Sequence, residues 1–212
     1  MGNVILDITA SLDGFVAGPN PTLEEPLGVG GMHLHDWAFP LRAWRAPHGL
    51  DGGEEGEEND AVANSLARVG AQVMGRKMFS GGAGPWESDP NAAGWWGDEP
   101  PFRVPVFVVT HHARAPLEFD NGTRFVFVTD GAESAIEQAR AAAGDRDVRV
   151  AGGADVATQS LRAGLLDRID LHIAPLLLGS GAKLFDDADP GSLELVEVRS
   201  SPRAAHLTYR PL

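Results

Sequence analysis

Short apolar runs rich in β-branched residues alternate with helical segments through the middle of this chain of 212 residues. Ala71–Met74, Val104–Thr110 and Val148–Ala151 are such runs. Alternation of this kind lays strands side by side in one direction, with the helices on the faces of the sheet. Near the C-terminus, Leu193–Arg199 and Arg203–Arg210 flank a short turn and are typical of a hairpin. The pattern predicts one α/β domain over residues 1–212, with a mainly parallel sheet and an antiparallel C-terminal hairpin.

The same pattern gives approximate limits for each element. The predicted strands are Val4–Ala10, Ala71–Met74, Val104–Thr110, Phe125–Thr129, Val148–Ala151, Ile169–Leu178, Leu193–Arg199 and Arg203–Arg210. The predicted helices are one capped by Asn59 and ended by Gly70, a short one after Gly75, Ala132–Ala143, and Ala154–Ala163.

Residues 19–58 interrupt this pattern with a long irregular stretch rich in glycine, proline and acids. Within it, His35–Trp44 is predicted to form a short helix that carries Trp37, Leu41 and Trp44 on one side. Irregular segments of this length are uncommon in a compact domain unless they serve a purpose. We expect an insertion that covers a pocket or packs on a partner subunit.

Charge and composition exclude several classes of function. The formal net charge is −13, which repels nucleic acid and anionic membranes, so we expect neither as a partner. The chain has no cysteine, which excludes disulfides, thiolate metal sites and a cysteine nucleophile. No basic segment precedes an apolar stretch at the N-terminus, and this predicts a cytoplasmic protein. An anionic ligand would need a local positive site.

Three predicted strands end in residues suited to phosphate. Gly152-Gly153 follows one strand and precedes a helix, whose first-turn N–H groups and dipole favour an anion. Gly75-Arg76-Lys77 ends a second strand, and Thr110-His111-His112-Ala113-Arg114 ends a third. Each could also be an ordinary tight turn with solvated cations. Together they indicate an extended anion such as a dinucleotide.

The residues also carry a family resemblance that spans nearly the whole chain. The matching segments are Ser11–Gly18, Val73–Phe79, Val106–Thr110, Val150–Asp155 and Leu171–Gly181. Their order resembles the dihydrofolate-reductase-like proteins, and most closely the reductase domain of riboflavin-biosynthesis deaminase-reductases and its stand-alone relatives. The resemblance implies an eight-stranded sheet, NADPH as the cofactor, and a homodimer.

The resemblance also implies where the cofactor would lie. Gly75, Arg76 and Lys77 would face the adenosine phosphate, and Thr110, His111 and Arg114 the adenine ribose with its 2′-phosphate. The residues implied for the pyrophosphate are Gly152, Gly153, Ala154, Asp155 and Val156. Those implied for the nicotinamide end are Thr9, Ala10, Val16 and Ala17.

Departures from the family pattern limit the chemistry. The proline-tryptophan that follows the first loop of folate reductases is missing, so dihydrofolate reductase activity is not expected. No H-x-E with P-C-x-x-C is present, so the chain is at most the reductase half of a deaminase-reductase. We predict hydride transfer from NADPH to a small heterocyclic or carbonyl substrate. Asp60 is the first candidate for a proton donor or substrate anchor, and Asp13 is the second.

The residues alone leave two other hypotheses about the function open. A non-catalytic nucleotide-binding or dimerisation protein could keep the fold without the chemistry. A metal-dependent hydrolase could use His33, His35 and Asp36, because residues two apart on a strand point the same way. No second histidine cluster with carboxylates follows, so no metal is expected.

Overall fold

The computed structural model describes residues 2–22, 24–82, 84–186 and 191–212. In this part of the chain nine strands form one sheet, in the order β10-β11-β8-β1-β7-β3-β4-β6-β5. These strands are β1 Val4–Ser11, β3 Val69–Gly75, β4 Pro105–Val109, β5 Leu117–Glu118, β6 Arg124–Val128, β7 Asp147–Gly152, β8 Arg168–Ala174, β10 Leu193–Ser200 and β11 Ala205–Pro211. Two further strands, β2 (Phe15–Ala17) and β9 (Ala182–Lys183), pair with each other outside the large sheet.

The predicted architecture is confirmed, with a mainly parallel sheet and a C-terminal hairpin. The strands from β8 to β6 run parallel, and the β10–β11 hairpin joins β8 antiparallel. The large sheet has nine strands rather than eight, because the two-residue β5 adds to the edge strand β6. A strand of two residues is too short to show an alternating pattern.

Five α-helices lie among the described residues. They are α1 Arg42–Arg45, α2 Glu57–Arg68, α3 Arg76–Ser80, α4 Gly131–Ala143 and α5 Ala154–Arg162.

The predicted N-cap at Asn59 is wrong. Helix α2 begins three residues earlier, after its N-cap Gly56, and places Glu57, Glu58 and Asp60 in its first turn. Acids in a first turn interact favourably with the positive end of the helix dipole. Asn59 is buried instead, and its side-chain oxygen accepts a hydrogen bond from the backbone N–H of Ala43 at 2.8 Å.

The predicted helix over His35–Trp44 is also wrong. A 3₁₀ turn covers Gly31–His35, and helical structure returns only at Arg42–Arg45. Pro40 lies between them and cannot donate a backbone hydrogen bond, so a continuous helix is disfavoured. Strand β8 likewise ends at Ala174, earlier than predicted, because Pro175 follows it.

The two faces of the sheet differ in polarity, and this difference positions the site. Helices α4 and α5 cover one face, where Leu6, Val73, Val150 and Ile136 are buried. On the opposite face, the β3–β4–β6 side is apolar and packs around Phe79. The β8–β1 side of that face carries polar side chains. The insertion covers these with a small core, in which its Trp37, Ala38, Leu41 and Trp44 pack with Val62 of α2 and with Ala204 before β11.

Candidate functional site

The carboxyl ends of β1, β3, β4 and β7 open into one cleft. Parallel α/β sheets bind ligands at this end of their strands. Of the residues predicted to bind the cofactor, all except Ala10 and Arg114 line the cleft. Those lining it are Thr9, Val16, Ala17, Gly75, Arg76, Lys77, Thr110, His111, Gly152, Gly153, Ala154, Asp155 and Val156.

Gly152 and Gly153 make a cradle of bare backbone in the cleft. Gly152 has φ 140°, and a Cβ there would lie 3.3 Å from the sulfur of Met78. At Gly153 an added Cβ would meet no atom within 4 Å, so this position opens onto the cleft. Helix α5 starts at the next residue, and its first-turn N–H groups have no partner within the helix. These backbone N–H groups at the start of α5 therefore fit the oxygens of a pyrophosphate.

Arg76, predicted to face the adenosine phosphate, is engaged in a buried ion pair. Its side chain is 7% exposed and pairs with Asp89, which is 2% exposed, at 2.6 Å. The same guanidinium donates to Ser80 and lies 3.3 Å from the centre of the Trp86 ring. Arg76 is thus the partner of a buried carboxylate, and its role as a phosphate ligand stays a prediction.

The pKa of Asp89 agrees with a stable ion pair. Burial alone would raise this pKa, but hydrogen bonds from Ser80 and Arg76 outweigh burial and lower it below its usual value. The carboxylate therefore stays charged at neutral pH, and the positive charge of Arg76 is already neutralised.

Arg114 lies outside the cleft and, like Arg76, packs against the ring of Trp86. Its guanidinium stands 4.6 Å from the Trp86 ring centre and donates to the carbonyl of Ala92. Burial, followed by repulsion from Arg76, lowers its pKa. Lys77 and His111 are exposed basic groups that line the cleft, beside Gly75 and Thr110.

Asp13 is a loop anchor. It lies outside the cleft, and its carboxylate accepts hydrogen bonds from Ser11 Oγ at 2.5 Å and from the backbone N–H of Gly179 at 2.7 Å. The bond from Ser11 contributes most to lowering its pKa. A carboxylate held ionised in this way is a poor proton donor, so we leave Asp13 out of the proposed site.

Asp60 is exposed at the rim of the cleft, where Asn59 Nδ2 approaches its Oδ1 at 3.3 Å. The acid of α2 that faces inward is Glu58. Its Oε1 accepts from His206 Nε2 at 3.0 Å, and its Oε2 lies 3.4 Å from Arg203. Because Glu58 precedes the predicted N-cap, the sequence pattern left it outside the helix.

Glu58 ends a row of four hydrogen-bonded side chains that sequence reasoning missed. Asp7 Oδ1 lies 3.1 Å from His172 Nε2, and His172 Nδ1 lies 2.7 Å from His206 Nδ1. The two histidines are neighbours on β8 and β11, and His172 is also the register partner of Thr9 on β1. Asp7, His172, His206 and Glu58 all line the cleft.

Trp37 of the insertion closes over this row. Its ring centre is 4.7 Å from that of His172 and 4.9 Å from that of His206, and its Nε1 donates to Thr9 Oγ1 at 3.2 Å. His35 lies nearby, and burial, with repulsion from Arg149, lowers its pKa to about 4. The insertion therefore places Trp37 over the two histidines.

One sequence signal could have indicated these residues. In β8 the polar residues Arg168, Asp170 and His172 alternate with apolar ones. Strand β8 lies inside the sheet, between β1 and β11, so its polar face needs partners or a ligand.

The side chains of His33 and His35, which were considered as metal ligands, do not point to a common site. His33 and Asp36 are exposed and pair at 2.9 Å, whereas His35 packs against Phe39 and Trp44. Across the described ranges, no group of three or more histidine, aspartate or glutamate side chains is arranged to hold a metal ion. In the same ranges, no helix has both the length and the hydropathy needed to cross a bilayer.

Comparison with known proteins assigns the chain to a family. The model of the RibD C-terminal domain matches residues 3–207. The uncharacterized protein YyaP of Bacillus subtilis strain 168 is 25% identical over 210 residues, which cover 93% of this chain and 88% of YyaP.

Solved structures share the fold. A putative riboflavin biosynthesis protein from Shewanella sp. PV-4 superposes with a TM-score of 0.63 at 19% identity, covering 99% of each chain. RibD of Acinetobacter baumannii gives a TM-score of 0.57 at 16% identity, covering all of this chain and 58% of RibD. At these identities the likeness concerns the fold.

Proposed function

Because the chain belongs to the RibD C-terminal domain family, we propose that it is an NADPH-dependent reductase acting on a small heterocyclic or carbonyl substrate, similar to the reductases of riboflavin biosynthesis. The observation that carries the proposal is the Gly152-Gly153 cradle, which opens at the start of α5 onto the cleft lined by Thr9. When bound, NADPH supplies the hydride.

The residues of the cleft have separable roles in this proposal. The backbone at Gly152, Gly153 and Ala154 would hold the pyrophosphate, and Lys77 with His111 would face the adenosine phosphates. Thr9, Val16 and Ala17 would border the nicotinamide. Trp37 would exclude water from that end of the cleft, which strengthens every polar interaction there.

Gln72 supports a heterocyclic substrate. Its side chain is 4% exposed and lines the cleft, and its Oε1 has no hydrogen-bond partner among the described residues. Buried polar atoms are normally satisfied. A ring N–H of a substrate would provide the missing donor.

Lys77 should select NADPH over NADH. A charge-assisted hydrogen bond contributes about 1.5–3 kcal/mol, so Lys77→Ala should weaken NADPH binding at least about tenfold more than NADH binding. Calorimetric titration of both cofactors measures this ratio. The matched control is Lys183→Ala, which removes an exposed lysine on β9. Equal losses for NADPH and NADH in the Lys77 variant would contradict the assignment, and failure of the wild type to bind either cofactor would contradict the proposed function.

We also propose that the protein is a homodimer joined through β10. This edge strand is exposed along its whole length, with Leu195 and Val198 each more than half exposed. Apolar strands of this kind usually bury against a partner. Light scattering should give about twice the chain mass of 22.4 kDa, and the double variant Leu195→Glu, Val198→Glu should be monomeric. Leu12→Glu, at an exposed leucine in the turn after β1, serves as the control. A wild-type mass near 22.4 kDa would contradict this proposal.

A further inference from the structure

Two buried polar atoms without a hydrogen-bond partner lie on neighbouring strands in the middle of the sheet. They are Gln72 Oε1 on β3 and Arg149 Nε on β7, and neither has a partner among the described residues. The two residues are register partners on parallel strands, and both line the cleft. Buried polar atoms are normally satisfied, so two of them at one place indicate a ligand.

Gln72 is the one residue of β3 with a polar side chain. The strand runs Val69-Gly-Ala-Gln-Val-Met-Gly75, and Gln72 is only 4% exposed. Its neighbours Ala71 and Val73 face the apolar core, so Gln72 points to the opposite face of the sheet, where the cleft lies. The last torsion of a glutamine side chain is broad, which lets the amide turn toward a ligand.

Arg149 supplies hydrogen-bond donors beside this acceptor. Its side chain is 23% exposed, and its Nε lies 3.2 Å from Asp7 Oδ2 in an ion pair that lacks the geometry of a hydrogen bond. Burial raises the pKa of Asp7, but the attraction of Arg149 and the bond from His172 lower it further, so the carboxylate stays ionised. The Arg149–Asp7 pair therefore has no net charge, while the terminal N–H groups of Arg149 remain available to the cleft.

The insertion borders the same part of the cleft with aromatic rings. The ring centre of His35 lies 6.0 Å from that of Phe39 and 5.7 Å from that of Trp44, and all three residues line the cleft. Burial, and then repulsion from Arg149, lowers the pKa of His35 to about 4, so this ring is uncharged at neutral pH. Aromatic walls favour a flat ligand, and uncharged surroundings favour a neutral one.

Resting on the proposed function, we propose that Gln72 and Arg149 select the substrate, a neutral flat ring with a cyclic amide edge. The ring N–H donates to Gln72 Oε1, and the neighbouring C=O accepts from the terminal N–H groups of Arg149. A carboxylate has no hydrogen to give to Gln72 Oε1, and neither has a ketone or an aldehyde. The two residues therefore favour cyclic amides over carboxylates and simple carbonyl compounds.

The first test needs no ligand. A polar group kept buried for a substrate lowers stability while the site is empty, so Gln72→Met should raise the melting temperature by about 2–4 °C. Gln138→Met is the matched control, because Gln138 lies on α4 outside the cleft in an exposed bond to Ser134, and it should change the melting temperature little. A lower melting temperature in Gln72→Met would mean that the protein itself satisfies the amide, and would overturn the proposal.

The second test compares three small aromatic probes by ligand-observed NMR titration, with NADP⁺ present and absent. Isoindolinone has a cyclic amide edge, N-methylisoindolinone lacks its N–H, and benzoate has a carboxylate instead. A site built to pair with a substrate N–H strongly rejects an analogue without it, so the wild type should bind isoindolinone at least about tenfold more tightly than either other probe.

Two variants assign this preference to its residues. Gln72→Met should remove the preference for isoindolinone over its N-methyl analogue. Arg149→Lys keeps a charge beside Asp7 but removes the forked donors, and should weaken isoindolinone binding about tenfold. Arg124→Lys, at an exposed arginine on β6 outside the cleft, is the control and should leave binding unchanged.

Equal binding of the two cyclic amides, tightest binding of benzoate, no binding of isoindolinone, or an unchanged preference in Gln72→Met would overturn the proposal. Titration with NADPH tests the proposed function separately. A protein that selects isoindolinone but does not bind NADPH would support this site and refute the reductase. A protein that binds NADPH without selecting isoindolinone would refute this site alone.

Discussion

Gly153→Val is expected to abolish NADPH binding in a protein that still folds. The backbone at Gly153 must approach the pyrophosphate closely, and a valine side chain would occupy that space. Within the described structure a Cβ at this position meets no atom within 4 Å, so the substitution has little to displace in the protein itself.

Thermal unfolding with and without NADPH measures this effect. A ligand at a hundred times its Kd stabilises the folded state by about 2.7 kcal/mol, and the variant should gain none of this. Gly84→Val is the control, because a Cβ there makes only an ordinary contact, at 3.6 Å from Ser88 Oγ, outside the cleft. A folded Gly153→Val protein with the wild-type gain would mean that the glycines serve only the turn.

Arg76→Met is expected to lower the free energy of unfolding by about 3–5 kcal/mol. The substitution leaves the carboxylate of Asp89 buried without its charged partner, which is far more costly than losing an exposed ion pair. Urea unfolding measures the change. Arg42→Met is the matched control, because Arg42 and Glu55 are both more than 60% exposed and their pair contributes at most about 1 kcal/mol.

A second substitution separates the cost of the unpaired charge from other causes of the lower free energy of unfolding. Replacing Asp89 by leucine in the Arg76→Met background should recover part of the loss, since the unpaired charge is then gone. A loss below about 1 kcal/mol in Arg76→Met would show that Arg76 is not structural and would favour its assignment to the cofactor phosphate.

The elements that the sequence predicted well are those defined by neighbouring residues. The alternation of strands and helices, and the turn at Gly152-Gly153 before α5, depend on local patterns that any α/β sheet must satisfy. The same holds for the C-terminal hairpin, whose strands are adjacent in the chain. The predicted ends of elements were wrong where a local signal was ambiguous. Asn59, for example, has the residue type of a helix cap but is buried against α1.

The parts that could not be predicted depend on contacts between distant residues. Asp89 lies in an irregular segment, and nothing in its neighbourhood indicates that it will neutralise Arg76. Asp7 and His172 are 165 residues apart, and His172 and His206 are 34 apart. Only the strand order, with β1 and β11 on either side of β8, brings these three side chains together.

A crystal structure of the protein with NADP⁺ at saturating concentration tests the central claim most directly. The account predicts that the pyrophosphate lies on the backbone N–H groups at Gly153, Ala154 and Asp155, with the nicotinamide beside Thr9, Val16 and Ala17. Density for the dinucleotide at any other surface, or a cleft at Gly152-Gly153 that stays free of it at saturation, would contradict the account.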